Sequence, residues 1–109
     1  MGLIETKWSL LPGAGGSQRL ARVVGLPLAK ELIFTARIID GVEAERIGLV
    51  NHAVNGDDEA AYQKALEIAR EILTKGPLAI RAVKTAISIG NEMDLASGLR
   101  LEQQCYGRV

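Results

Sequence analysis

The sequence contains little of what specialised sites are usually built from. It has one cysteine, one histidine, one tryptophan, two tyrosines and one phenylalanine. The single cysteine, Cys105, excludes an internal disulfide framework, and a free cysteine is more often a buried small hydrophobe than a reactive thiol. The single histidine, His52, cannot be the centre of a histidine and cysteine metal cluster, so we predict a structural or surface role for it and no metal site.

An excess of one charge and a long apolar run are also missing. The 13 basic and 13 acidic side chains cancel and form no block of like charge, so nucleic-acid binding is not predicted. A membrane span needs about 20 consecutive apolar residues. Charged residues and glycines interrupt every apolar run in this sequence well before that length. We therefore expect a soluble chain without a membrane partner, forming one modest domain that binds a small molecule or another protein.

Capping residues, glycines and prolines divide most of the chain into predicted helices. These helices cover residues 17–24, 27–36, 43–49, 58–74 and 77–90, and a last helix follows Asp94. Asp40 and Glu43 have the spacing of a capping box, in which each side chain accepts from the other residue's backbone amide. Residues 49–54 (LVNHAV) are rich in β-branched side chains and predict a brief strand.

The first residues do not fit this helical pattern. Residues 2–12 (GLIETKWSLLP) predict a buried or edge strand that leads into a loop. An isolated strand has no ladder for its backbone groups, and the remaining chain offers no partner sheet. Either the chain pairs with another molecule, or it is the C-terminal portion of a longer α/β protein.

Three glycines, Gly13, Gly15 and Gly16, stand before the first predicted helix. The segment GAGGSQ fails as a dinucleotide fingerprint because Gln18 occupies the last glycine position, and no lysine follows to make a P-loop. Glycines before a helix allow backbone amides to converge on an anion, a carbonyl oxygen or a water. A tight turn without a ligand explains the same pattern, and the residues alone do not choose between the two.

Glu5 is the acid nearest to these glycines. It is either a solvated carboxylate beside Lys7 or a working acid in an apolar setting, which suits proton transfer. Four apolar residues are close enough in sequence to supply that setting: Leu3, Ile4, Trp8 and Leu10.

The chain resembles the second half of the enoyl-CoA hydratase (crotonase) family. The resemblance lies in an acid followed by PGAGGSQRL, in the helix that ends in IGLVNHAV, and in the stretches AIRAVKTAI and MDLASGLRLEQQCYG. It is most similar to the branch that contains methylglutaconyl-CoA hydratase and the enoyl-CoA hydratase domain-containing proteins. The sequence departs from the family pattern mildly, with Ile4 and Ala21 where proline is frequent and Ser17 where threonine is common.

The resemblance implies an α/β crotonase (ClpP/crotonase-like) fold, of which this chain is the mostly helical C-terminal part and an incomplete fragment. Residues 1–25 would form the active-site strand, loop and helix, and residues 26–109 the helical region. The implied activity is a lyase that adds water to 2-enoyl-CoA thioesters in fatty-acid β-oxidation or leucine catabolism. Coenzyme A is then part of the substrate, and no separate cofactor is expected.

The resemblance also assigns residues and partners. Glu5 matches the second of two family glutamates, which delivers the proton to C2 of the acyl chain during hydration. Gly13 matches the glycine whose backbone lies beside the catalytic water. The first glutamate and the two oxyanion-hole amides lie upstream of this stretch in family members, so we expect the isolated chain to be inactive.

Three further expectations follow from the resemblance. The full-length protein would be a homotrimer or a dimer of trimers, mitochondrial in a eukaryote and cytoplasmic in a bacterium. An enoyl-CoA isomerase is an alternative activity, because one carboxylate can shuttle a proton. A non-catalytic, truncated oligomerisation module is an alternative of another class.

Overall fold

Six α-helices and one short 3-10 helix make up the regular structure in the computed structural model, which describes residues 1–109. The 3-10 helix is Glu5–Trp8, and the α-helices are α1 Gly16–Val24, α2 Leu26–Phe34, α3 Gly41–Arg46, α4 Asp58–Leu73, α5 Pro77–Gly90 and α6 Leu95–Tyr106. The chain divides into two units, Met1–Ala61 and Tyr62–Val109, which are described separately below.

Both predicted strands are wrong. Residues 2–12 contain a 3-10 helix and a turn at Ser9 between irregular stretches. Without a neighbouring strand the backbone makes local bonds instead, such as that from Lys7 N to Ile4 O at 3.0 Å. Residues 49–54 contain no strand either. The backbone amides of Leu49 and Val50 both donate to the Ala44 carbonyl at 2.8 and 3.2 Å, which bonds them back onto α3.

Gly25 joins α1 to α2 without an intervening loop. Its amide donates to Ala21 O at 3.0 Å and its carbonyl accepts from Ala29 N at 3.1 Å, so one residue ends one helix and begins the next. Its backbone angles are φ 90° and ψ 157°, a region open almost only to glycine. The predicted left-handed end of α1 at Gly25 is therefore correct in the sign of φ, but its ψ is extended.

Half of the predicted capping box is present at α3. Asp40 Oδ1 accepts from Glu43 N at 2.8 Å, as expected. The Glu43 carboxylate does not return this bond, because it binds the guanidinium of Arg37 and that of Arg46, the latter at 3.2 Å. The hydrogen bond from Arg37 lowers the pKa of Glu43 below its ordinary value of 4.5, and the same bond raises the pKa of Arg37.

The core of the first unit is small and lies where α2 and α3 meet the segment between them. Leu32, Ile39 and Ala44 are buried together. Partly buried apolar side chains surround them, namely Leu20, Leu28, Ile47, Leu49 and Val50. Leu32 lies near the C-terminal end of α2, so this core lies beside the residues to which the N-terminal segment bonds, Ile33 and Ile39.

In the second unit, α5 packs on α6 through two glycines. A Cβ atom added to Gly98 would lie 3.3 Å from the carbonyl oxygen of Gly90, so the two backbones approach closely. Asp94 caps α6 as predicted, accepting from Ser97 N at 2.9 Å. Many apolar side chains of this unit remain exposed, including Leu73 at 82% and Leu95 at 78%. None of the helices has the length and apolar character needed to cross a membrane.

Candidate functional site

Glu5 is the first residue of the 3-10 helix Glu5–Trp8, which we call the Glu5 turn. The turn is held by backbone bonds, including that from Leu10 N to Glu5 O at 3.0 Å. It ends at Ser9, whose φ of 59° is left-handed. The chain then runs through Pro12, which is buried, into the glycines.

The carboxylate of Glu5 is unusual among the side chains of this protein. Glu5 is half-buried, and its Oε2 atom is buried without any hydrogen-bond partner. Burying a carboxylate oxygen without a partner is costly, so such an atom in a folded protein calls for an explanation. A group that binds there from outside the chain, such as a substrate or a water, would supply the missing bond.

Lys7 does not neutralise Glu5. Its ammonium lies 5.9 Å from the centroid of the Trp8 ring, a cation–π distance, and it forms no ion pair with the Glu5 carboxylate. The apolar setting predicted for Glu5 is only partly present, because Trp8 and Leu10 are themselves 68% and 62% exposed. Leu3 is the half-buried member of the predicted set.

Residues 13–16 form a tight turn that leads into α1, and the two residues at its centre are left-handed. Ala14 and Gly15 have φ angles of 51° and 82°, and Gly16 N donates to Gly13 O at 2.9 Å. Arg19 reaches back from α1 and donates from Nη1 to Ala14 O at 3.1 Å. These bonds join the turn to its own helix, and a role of the glycines in binding a ligand stays a prediction.

Leu3 connects the glycine turn to the Glu5 turn. A Cβ atom added to Gly16 would lie 3.0 Å from Leu3 Cδ2, so this glycine lets the leucine pack against the start of α1. Leu3 stands two residues before Glu5, and the two segments singled out from the sequence therefore adjoin in space. An apolar cavity of about 310 Å³ opens beside this contact, with Arg19 and Arg37 among its lining residues.

Gly13 differs from its neighbours. A Cβ atom added to it would meet nothing within 4 Å, and its φ is not positive. Packing and backbone conformation within these residues therefore do not explain why this position is glycine.

The remaining predicted residues do not join this site. His52 is exposed, and no group of three or more potential ligands is placed to hold a metal ion. Cys105 is buried in α6, as expected for a small apolar residue. Sequence reasoning missed Thr6, whose hydroxyl donates to Ile33 O at 2.6 Å. No periodicity or motif marks such a bond, because its partners are 27 residues apart along the chain and 2.6 Å apart in space.

Comparison with known proteins gives one consistent result. The sequence model of a family described as enoyl-CoA hydratase/isomerase matches residues 1–109. The chain is 53% identical to mouse mitochondrial methylglutaconyl-CoA hydratase over 111 residues, covering 100% of the chain and 35% of the relative. It is 56% identical over 110 residues to human mitochondrial enoyl-CoA hydratase domain-containing protein 2, covering 99% of the chain and 38% of that relative.

A solved structure agrees with these relatives. The crystal structure of an enoyl-CoA hydratase from Bacillus anthracis superimposes with a TM-score of 0.89 at 47% identity, covering 99% of this chain and 41% of that one. The prediction of a mostly helical part of the crotonase fold is thereby confirmed. The chain spans 35% to 41% of the length of these relatives.

Proposed function

The chain belongs to the enoyl-CoA hydratase/isomerase family, and we propose that it contributes the proton-carrying acid of a hydratase acting on 2-enoyl-CoA thioesters. The observation that carries the proposal is the buried Oε2 atom of Glu5, which has no hydrogen-bond partner. No other group of the chain bonds to this oxygen, and we propose that a substrate or a water is its partner in the complete enzyme. The glycine turn, which contacts Leu3 through Gly16, carries no side chain at Gly13, and a Cβ atom there would meet nothing within 4 Å.

The proposed chemistry assigns one proton to Glu5. During hydration, water adds to C3 of the enoyl chain and the Glu5 carboxyl gives its proton to C2. In the reverse direction the Glu5 carboxylate removes that proton and water leaves. General acid–base help of this kind is worth about 10²- to 10⁴-fold in rate.

The complete reaction needs groups that no residue of this chain matches. The family resemblance implies a first glutamate to activate the water and two backbone amides to stabilise the developing enolate oxygen. Loss of one such donor alone costs about 10²- to 10³-fold in kcat. We therefore propose that the 109 residues by themselves do not turn over substrate.

The wider setting is proposed on the same basis. The names of the mouse and human relatives include the mitochondrion, which supports that location for a eukaryotic parent, and the cytoplasm is proposed for a bacterial one. Fatty-acid or leucine breakdown would supply the 2-enoyl thioester. The assembly proposed for the whole protein is a homotrimer or a dimer of trimers.

An isomerase is a second candidate, because a single carboxylate such as that of Glu5 is enough to move a proton between two carbons. Isomerisation would convert a 3-enoyl thioester into its 2-enoyl isomer without consuming water. Product analysis with both substrates separates the two activities.

The test places residues 1–109 in a working enzyme. We would replace the matching segment of the mouse hydratase, which is 53% identical, with this chain and follow hydration of crotonyl-CoA. The chimera is expected to be active, and Glu5→Gln is expected to lower its kcat by about 10²- to 10⁴-fold. Glu71→Gln is the matched control, because Glu71 is exposed on α4 and its side chain makes no bond.

Two results would contradict the proposal. One is an active chimera in which Glu5→Gln and Glu71→Gln behave alike. The other is a chimera with native helix content that hydrates no substrate. Gly13→Ala adds a further check: the new methyl group meets nothing within 4 Å in the chain, and we expect it to lower activity by crowding the substrate or the water.

A further inference from the structure

The segment that carries Glu5 is fastened at both ends to one stretch of chain, residues 33–39. At its start, Ile39 N donates to Met1 O at 2.9 Å, and the N-terminal ammonium of Met1 donates to Ile39 O at 2.7 Å. At its other end, the Thr6 hydroxyl donates to Ile33 O at 2.6 Å. We call this arrangement, residues 1–6 against residues 33–39, the clamp.

The middle of the clamp is closely packed as well. A Cβ atom added to Gly2 would lie 2.8 Å from the carbonyl oxygen of Arg37. The two stretches therefore approach backbone to backbone at this point. Only glycine permits that distance, because the obstructing atom belongs to the main chain and cannot rotate away.

Thr6 is the only member of the Glu5 turn whose side chain makes a hydrogen bond, and the turn has no side-chain cap. Its acceptor, the carbonyl of Ile33, lies in the last turn of α2, where carbonyl groups lack partners within the helix. Ala36 N also donates to this oxygen, at 3.2 Å. The Thr6 hydroxyl thus bonds to a carbonyl oxygen whose position is set by α2.

We infer that Thr6 is a positioning residue for Glu5, an inference that rests on the proposed function. In a 3-10 helix successive side chains point about 120° apart, so a bond that fixes the direction of Thr6 also fixes the direction of Glu5 next to it. No other side-chain bond holds the turn against rotation about its axis. In this inference Thr6 acts through Glu5, because its hydroxyl is already engaged by Ile33 O.

The test compares three variants in the chimera described above. Thr6→Val keeps the shape of the side chain and removes the donor, whereas Thr6→Ser keeps the hydroxyl. Thr35→Val is the matched control, because the Thr35 hydroxyl also donates to a carbonyl of α2, that of Glu31 at 2.7 Å. It lies outside the Glu5 turn.

A misplaced acid affects turnover more than substrate binding. Thr6→Val is expected to lower kcat by about 10- to 100-fold with KM within about twofold of the parent. Thr6→Ser and Thr35→Val are expected to stay within about threefold in both constants. An unchanged kcat in Thr6→Val, or an equal loss in Thr6→Ser, would overturn the inference.

Two further measurements keep the outcome clear. Glu5→Gln is assayed in parallel: if it has no effect on kcat, the proposed function fails, whereas if it lowers kcat and Thr6→Val leaves kcat unchanged, only the role of Thr6 fails. Hydrogen exchange on the 109-residue chain needs no activity at all. Thr6→Val should speed exchange of the Leu10 amide, which bonds to Glu5 O at 3.0 Å, and Thr35→Val should not; equal rates in the two variants would refute the inference.

Discussion

Replacing Gly25 by alanine isolates the energetic cost of one backbone conformation. The new methyl group would meet nothing within 4 Å, so no steric overlap contributes. What remains is the strain of φ 90° and ψ 157°, which costs a residue other than glycine about 1–3 kcal/mol. Alanine also lowers the conformational entropy of the unfolded chain, which stabilises the folded state by about 0.4–1 kcal/mol. We expect a net loss of about 1–2 kcal/mol.

Urea unfolding of the 109-residue chain, followed by far-UV circular dichroism, measures this loss. With a slope of about 1–3 kcal/mol per molar urea for a small protein, the midpoint of Gly25→Ala should fall by about 1 M. Gly13→Ala is the control, since an alanine there meets no atom within 4 Å and needs no positive φ. Its midpoint should not fall and should rise by a few tenths of a molar, because the restriction of the unfolded chain is not offset by strain there.

Two outcomes would refute this reasoning. If Gly25→Ala unfolds at the same midpoint as the parent, the junction between α1 and α2 does not need glycine. If Gly13→Ala falls as far as Gly25→Ala, the loss reflects a general effect of alanine in this unit. A larger loss in Gly25→Ala with reduced helix content would indicate that α1 and α2 separate altogether.

The other predictions concern the packing and electrostatics of the first unit. Leu32→Ala should destabilise the chain by about 2–5 kcal/mol, measured by urea unfolding, because Leu32 is 6% exposed in the core; a loss below about 1 kcal/mol would contradict that burial. Gly2→Ala should cost about 1–3 kcal/mol, since its methyl group would lie 2.8 Å from the Arg37 carbonyl. Gly16→Ala should cost less because it meets only a movable leucine tip, and the reverse order would be inconsistent with the clamp. The pKa of Glu43 is lowered by Arg37, so this pair stabilises the chain above pH 4.5 and loses its effect as the pH falls below that value. The stability difference between the parent and Glu43→Gln should therefore shrink on acidification, and a difference that grows would contradict the pair.

The helix ends could be read from the sequence because their causes are local. Pro77 and Gly90 bound α5 as predicted, and Asp94 caps α6 through a residue three positions away. These signals depend on neighbours within one turn. The second bond of the predicted capping box, from Asp40 N to the Glu43 carboxylate, is missing because the Arg37 side chain binds that carboxylate instead. Arg37 lies outside the capping motif, so the motif alone could not indicate this.

The strand at residues 2–12 could not be decided from the sequence in the same way. A strand is defined by its partner in space, and the same alternation of apolar residues permits a 3-10 helix when no partner is beside it. For the site, the sequence singled out Glu5 and Gly13 but gave no sign that Glu5 Oε2 would be left without a partner. Their catalytic roles remain predictions.

The clamp defines the smallest piece of this protein that could be transplanted. A graft of the acid with its turn and glycines, residues 5–16, would omit both anchoring points, Ile33 and Ile39. An engineer who wishes to move the acid into another scaffold must carry residues 1–39 as one continuous block. The same block is the natural unit for recombination, because a crossover between Thr6 and Ile33 would pair a turn from one parent with an anchor from the other.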